Sequence, residues 1–211
     1  MSSEGQGESG GGVCSPRPES PQCRVQRGVT LIEVMAVVAI VAVLLALGVP
    51  SFREFVARNR LDGAAQELMT SLQYARSEAT RRGAQVTVRL AGAEGSKNWG
   101  SGWSMFVDAD GDGALDAGEE VIKQGMAVPA PLTLIGSGGF HTFVAFSRDG
   151  RLTNAGGGYF VLCDGPSLTE GGQSRARAVV INGAGRVRMA ARDGSNVPVT
   201  DTGAVASCSN P

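Results

Sequence analysis

From Val29 to Val49 the chain runs through 21 residues, VTLIEVMAVVAIVAVLLALGV, whose only charge is Glu33. About 20 apolar residues in an α-helix cross a bilayer core of about 30 Å. A secretory signal has a shorter apolar stretch and then a small-residue cleavage site. No such site follows Val49, and the chain reads on as helix, so the apolar segment is expected to be retained. Arg24 and Arg27 precede it. Positive charge on that flank predicts residues 1–28 in the cytoplasm and the remainder exported. An acid at bilayer depth costs about 2.5–3.5 kcal/mol, so Glu33 requires a partner or a purpose.

The rest of the composition suits a small globular domain with appendages. The chain has 211 residues and a formal net charge of −1, so it lacks an overall basic footprint for nucleic acid. Residues 1–28 are polar and rich in Gly, Ser and Pro, with nothing to bury as a core. Many of the 31 glycines fall in the second half, where they punctuate short apolar runs as turns do.

Pro50 ends the apolar run, and inside a helix it would remove one hydrogen bond and introduce a kink. Beyond it, Leu61, Ala65, Leu68, Leu72, Ala75 and Ala79 recur at helical spacing and form one apolar stripe, expected to pack on a sheet. Arg81 and Arg82, then Gly83, read as a basic last turn and a C-cap. Val29 to Arg82 as one helix would measure roughly 80 Å at 1.5 Å per residue. From Ala84 the pattern becomes β-type, with candidate strands at 85–90, 103–107, 120–124, 132–135, 142–147, 159–162, 178–182 and 186–190. The expected fold is therefore α+β: a long N-terminal helix, transmembrane in its first half, packed on a C-terminal antiparallel β-sheet domain. The expected segments are 1–28, a 29–49 transmembrane helix, an amphipathic 50–83 helix, and a β-rich 84–211 domain.

Arg27-Gly28 followed by Val29-Thr30-Leu31-Ile32-Glu33 resembles the class III signal of type IV prepilins and pseudopilins. The resemblance continues through the W-G-x-G-W-x-x-F run at Trp99–Phe106, F-S-R-D-G-R at Phe146–Arg151, and G-R-V-R near the end. These runs follow the order of the GspH/FimT group of minor pilins and pseudopilins, which shares the pilin-like α+β plan. The resemblance implies cleavage after Gly28 by a prepilin peptidase and N-methylation of the new amine on Val29, where the family usually has Phe. It also implies assembly of the retained helix into a filament of pilin or pseudopilin subunits. Glu33 then has a purpose. A buried carboxylate is tolerable when paired, and the amine of a neighbouring subunit would set the register of one helix against the next. The implied location is the bacterial inner membrane, single-pass, with the N-terminus cytoplasmic and the C-terminal domain periplasmic, and a pilus or pseudopilus after assembly.

Three further features carry chemistry. Asp108, Asp110, Asp112, Gly113, Asp116 and Glu119 match positions 1, 3, 5, 6, 9 and 12 of an EF-hand calcium loop. Strands rather than helices flank them, so the loop is either a calcium site or a turn closed by local Asp and Gly hydrogen bonds. No cofactor is otherwise required. Of four cysteines, Cys14 and Cys23 lie in the segment to be removed. Cys163 and Cys208 would be exported, where thiols oxidise, and are expected to pair, with two free thiols as the alternative. Finally, Gly185-Arg186-Val187-Arg188 looks like the G-R-x-R motif of FimT-like minor pilins that bind DNA in natural transformation. On a strand Arg186 and Arg188 share one face. Two guanidiniums there suit phosphate oxygens of double-stranded DNA, with Arg175 and Arg177 widening the patch. The alternative is a solvated face, or salt bridges to Asp193 and its neighbours.

His141 is the only histidine, and no Ser-His-Asp, Cys-His or H-E-x-x-H arrangement is available. The chain is expected to be a non-enzymatic structural subunit, or alternatively a DNA receptor on a pilus.

Overall fold

A computed structural model describes residues 28–93, 95–153 and 156–209. Residues 1–27, with Arg24, Arg27, Cys14 and Cys23, lie outside the described residues. The chain divides at Pro50 into two units, and helix α1 (Leu31–Arg82) contributes to both.

In the first unit, Thr30 caps α1. Its carbonyl accepts from the Glu33 and Val34 amides, and its hydroxyl accepts from the Glu33 amide at 3.3 Å. Thr30-Leu31-Ile32-Glu33 is therefore the T-x-x-E pattern of a capping box, with Glu33 in the first turn, where the helix dipole favours negative charge. Every described side chain from Val29 to Val49 is exposed. This stretch is long and apolar enough to cross a membrane.

In the second unit, the predicted stripe is the buried face of the helix. Leu61, Ala65, Leu68, Leu72, Ala75 and Ala79 are each at most 3 % exposed. The alanines let backbone approach backbone, and the leucines fill the space between. Gly83, in the left-handed region at φ +65°, turns the chain out of the helix.

The stripe covers two four-stranded antiparallel sheets. One has the order β3 (Val121–Gly125), β2 (Trp103–Val107), β1 (Val86–Leu90), β5 (Phe143–Phe146). The other has the order β10 (Val187–Met189), β9 (Ala176–Asn182), β6 (Gly157–Asp164), β4 (Leu132–Gly136). Alternate residues of each sheet, among them Val86, Val88, Met105, Phe160, Leu162, Val179 and Ile181, join the helix stripe in one core. Trp99, in a single 3-10 turn, is fully buried. Its indole N–H donates to the Phe140 carbonyl at 2.9 Å, and its ring meets Phe160 edge-on at 4.8 Å. Trp103 is also buried, with the Lys123 ammonium 5.5 Å from its ring centroid.

All eight expected strands form, with ends shifted by at most two residues. Two small elements were not expected: a hairpin of β7 (Thr169–Glu170) and β8 (Gln173–Ser174), and a sheet of β11 (Ala191–Arg192), β12 (Pro198–Thr200) and β13 (Gly203–Ala204). Val205 and Cys208, beyond β13, pack with Val161, Cys163, Ala176 and Ala178 in a second cluster on the outer side of β6 and β9. The Cys163–Cys208 disulfide, with Cα atoms 5.9 Å apart, pins this covering segment to β6. The expected pairing is thus the one formed.

Candidate functional site

The arginines expected to form one patch are dispersed by strand parity and by their partners. Val187 pairs with Ile181 and Met189 with Val179, and all four side chains face the helix. Arg188, opposite Val180, therefore points to the other face. Arg186 precedes β10 rather than lying in it. Its backbone N–H donates to the Asn182 side-chain oxygen at 3.0 Å, and its carbonyl accepts from the Asn182 amide at 3.2 Å.

Two expectations need correction here. Arg177 shares the inward parity of Val179 and is buried, paired with Asp62 on α1. Arg175 sits at the opposite end of β9, roughly 20 Å away at 3.3 Å per residue, and is clamped by Asp164 at 2.9 Å and Glu170 at 2.8 Å. Neither widens a patch at Arg186. Arg188 is itself paired, with Asp201 between β12 and β13. The nearer candidate, Asp193, instead accepts from the Ser195 and Val197 amides at 2.9 Å each. Of the four, only the Arg186 guanidinium is exposed and makes no ion pair among the described residues.

Arg186 lines a groove of about 520 Å³ with Gln73, Arg76, Ser77 and Thr80 of α1. Sequence patterning missed this grouping because Arg76 and Arg186 are far apart in the chain. One signal was present in Gly185, whose φ is +74° and whose Cβ would lie 1.9 Å from the Gly150 carbonyl oxygen. Only glycine lets the β9–β10 hairpin close on the F-S-R-D-G-R turn, and that approach places Arg186 beside the helix.

The acidic loop between β2 and β3 is built on Asp108, a buried carboxylate. One oxygen accepts from the Gly111 amide at 2.7 Å. The other accepts from the Gly113 amide at 3.1 Å, the Thr87 hydroxyl at 2.6 Å and the Gln85 amide at 3.0 Å. Glu119 closes the loop by accepting from the Ala109 and Asp116 amides. Asp108, Asp110 and Asp112 offer oxygens within 4.8 Å of one another, three of the five carboxylates in the expected calcium set. Two loop amides together with the Thr87 hydroxyl and the Gln85 side-chain amide hydrogen-bond both Asp108 oxygens and anchor the start of the loop to β1. Asp110, Asp112 and Asp116 are exposed and pair with no cation among the described residues. Repulsion from Asp112, first, raises the Asp116 carboxyl above its ordinary range.

At the end of α1, Glu78 is buried beneath two arginines. Arg81 donates to it at 3.0 and 2.6 Å and Arg82 at 2.7 Å, and Arg82 also reaches Glu120 at 2.7 and 2.9 Å. The hydrogen bond from Arg81, then that from Arg82, lowers the Glu78 carboxyl to about 2. This network ties the last helical turn to the residue before β3.

Comparisons with known proteins agree with this architecture. Residues 23–49 match the prokaryotic N-terminal methylation motif. The chain is 39 % identical over 97 residues to the pilin-like protein PilA1 of Thermus thermophilus, covering 45 % of this chain and 56 % of that protein. It is 30 % identical over 88 residues to a fimbrial protein of Pseudomonas aeruginosa, covering 42 % of this chain and 56 % of the relative. The chain thus spans just over half the length of these curated relatives. The crystal structure of the type IV minor pilin FimU of Pseudomonas aeruginosa superposes with a TM-score of 0.54 at 28 % identity, over 73 % of this chain and 98 % of that one. Residues 64–185, more than half of the chain, match the model for type II transport protein GspH, and with a long helix followed by antiparallel sheets the chain belongs to the GspH family of pilin-like proteins.

Proposed function

We propose that the chain is a non-enzymatic structural subunit of a type II secretion pseudopilus or a type IV pilus. It is held in the inner membrane by its apolar helix, matured by a prepilin peptidase between Gly28 and Val29, and packed with other subunits through that helix. The observation that carries this is the apolar segment Val29–Val49, helical from Leu31, whose described side chains are all exposed and which holds one acid in the first turn of the helix. An exposed surface of this kind is stable in lipid or against other helices, and not in water. Glu33 supplies the carboxylate that a new α-amine on a neighbour's Val29 would meet.

The alternative of a DNA receptor receives less support. Arg175, Arg177 and Arg188 are neutralised within the chain, leaving Arg186 alone of the four expected contacts.

The test is expression of the full chain in cells with and without an active prepilin peptidase, followed by N-terminal mass analysis and recovery from sheared fibres. The expected result is a chain beginning at Val29, found in the fibre fraction only when the peptidase is active. A chain that keeps residues 1–28 in both strains would overturn the assignment.

A further inference from the structure

Two charged surfaces of the second unit make no ion pair among the described residues. The first is the groove at Arg76 and Arg186. Arg76 is half-buried and Arg186 exposed, and neither makes an ion pair among the described residues. The Ser147–Arg151 turn lies beside Arg76, since a Cβ at Gly150 would lie 3.0 Å from the Arg76 side chain. Arg148 and Arg151 are exposed on that turn. Its one carboxylate, Asp149, is engaged locally by the Ser147 hydroxyl and the Arg151 amide. The groove is thus a cationic recess of about 520 Å³, far larger than a single small anion.

The second is the loop Asp108–Glu119, which holds five acids and no Lys or Arg. Its backbone is fixed. The Arg89 guanidinium donates to the Gly113 carbonyl at 2.6 Å, and Gly113, at φ +77°, lies against the Phe143 ring where any Cβ would clash. Asp110, Asp112 and Asp116 are consequently displayed on a rigid support beside the first sheet, while the groove lies beside the edge strand of the second.

We propose that the groove at Arg76 and Arg186 receives the acidic loop Asp108–Glu119 of a second copy of this chain. The two surfaces are different patches of one molecule, so a single contact leaves one groove and one loop free, and the contact repeats head to tail as copies are added. That is the symmetry a fibre subunit requires, and to that extent the inference rests on the proposed function. The charge pattern favours this occupant over nucleic acid. The chain's formal net charge is −1, and the exposed carboxylates of the acidic loop repel a phosphate backbone.

The test uses full-length chains with two different tags, mixed in detergent micelles and co-isolated through one tag at low and high salt. Wild-type chains are expected to co-isolate, with recovery falling about tenfold as salt rises and the Debye length shrinks from about 10 to 3 Å. Arg76→Glu/Arg186→Glu chains are expected to lose self-association, as are Asp110→Lys/Asp112→Lys/Asp116→Lys chains. The two variants mixed together are expected to recover it. That recovery also shows that both are folded. Recovery unchanged by either variant, or no rescue in the mixture, overturns the proposal. A labelled DNA duplex of about 20 base pairs is titrated in parallel. Binding lost in Arg76→Ala/Arg186→Ala, without charge-swap rescue, would make the groove a nucleic-acid site and overturn the proposal equally. Cleavage after Gly28 and entry into fibres are scored separately, so the subunit assignment can stand when this contact fails.

Discussion

The Arg177 guanidinium, on β9, closes an ion pair with Asp62 on α1. The residues are 115 positions apart. Arg177 is buried, and it also donates to the Ala176 carbonyl at 2.8 Å and the Ser174 hydroxyl at 3.4 Å, whereas Asp62 is half exposed. Removing the two partners should therefore have unequal effects. Asp62→Ala strands a buried cation and is expected to cost about 3 kcal/mol. Arg177→Met leaves a carboxylate that water can reach and fills the space with an apolar side chain, so its expected cost is below about 1.5 kcal/mol. Urea midpoints of the two variants check the order, and a larger loss for Arg177→Met would refute it.

Glu78 predicts the direction of acid sensitivity. Its folded-state carboxyl is lowered from the ordinary 4.5 to about 2 by Arg81 and Arg82. A depressed acid contributes stability that is complete above the unfolded value and is lost as pH falls through the folded one. Thermal midpoints are expected to decline between about pH 4.5 and 2. Glu78→Gln should lower the midpoint at pH 7 and flatten the decline within that window. A decline of unchanged slope in Glu78→Gln would assign acid sensitivity to other carboxylates.

The Cys163–Cys208 bridge closes a sequence separation of 45 and clips the covering segment over Val161 and Ala178. In the chain-entropy model a loop of this length contributes roughly 4 kcal/mol. For a domain of this size that corresponds to about 10 °C in Tm. Cys208→Ala is expected to show that decrease, together with new tryptic cleavage at Arg192 as β11 and β12 detach from the sheet. Loss of Tm without new cleavage would mean that the segment stays docked through Val205 alone.

Thr30 and Glu33 separate helix capping from assembly. The Thr30 hydroxyl accepts from the Glu33 backbone amide, which survives any change to the Glu33 side chain. Thr30→Ala is expected to cost about 1 kcal/mol of helix stability while leaving fibre entry intact. Glu33→Gln keeps the cap, loses the charge, and is expected to be processed normally yet reduced at least about tenfold in fibres, the factor that 1.4 kcal/mol supplies. Mass analysis of the N-terminus and quantification of sheared fibres read the two effects apart.

The features legible in the sequence are those encoded within a few residues of each other. The apolar run from Val29 names a segment that water does not suit. The spacing of Leu61, Leu68, Leu72 and Ala79 names the helical face that is buried, and alternation names eight strands to within two residues, because one turn of helix or one pleat repeats over such short distances. Cys163 and Cys208 were identifiable as partners because both lie in the segment expected to be exported. Short edge pieces such as β11 to β13 carried no such repeat, since two or three residues complete no period. Only the tertiary structure decided which charges are spent. Register turns Arg177 inward to Asp62 and Arg188 outward to Asp201, and the close approach of Gly185 to Gly150 brings Arg186 to the groove that Arg76 lines. A guanidinium's partner depends on which face its strand presents and on what a distant segment packs there, and neither is written in its neighbours along the chain.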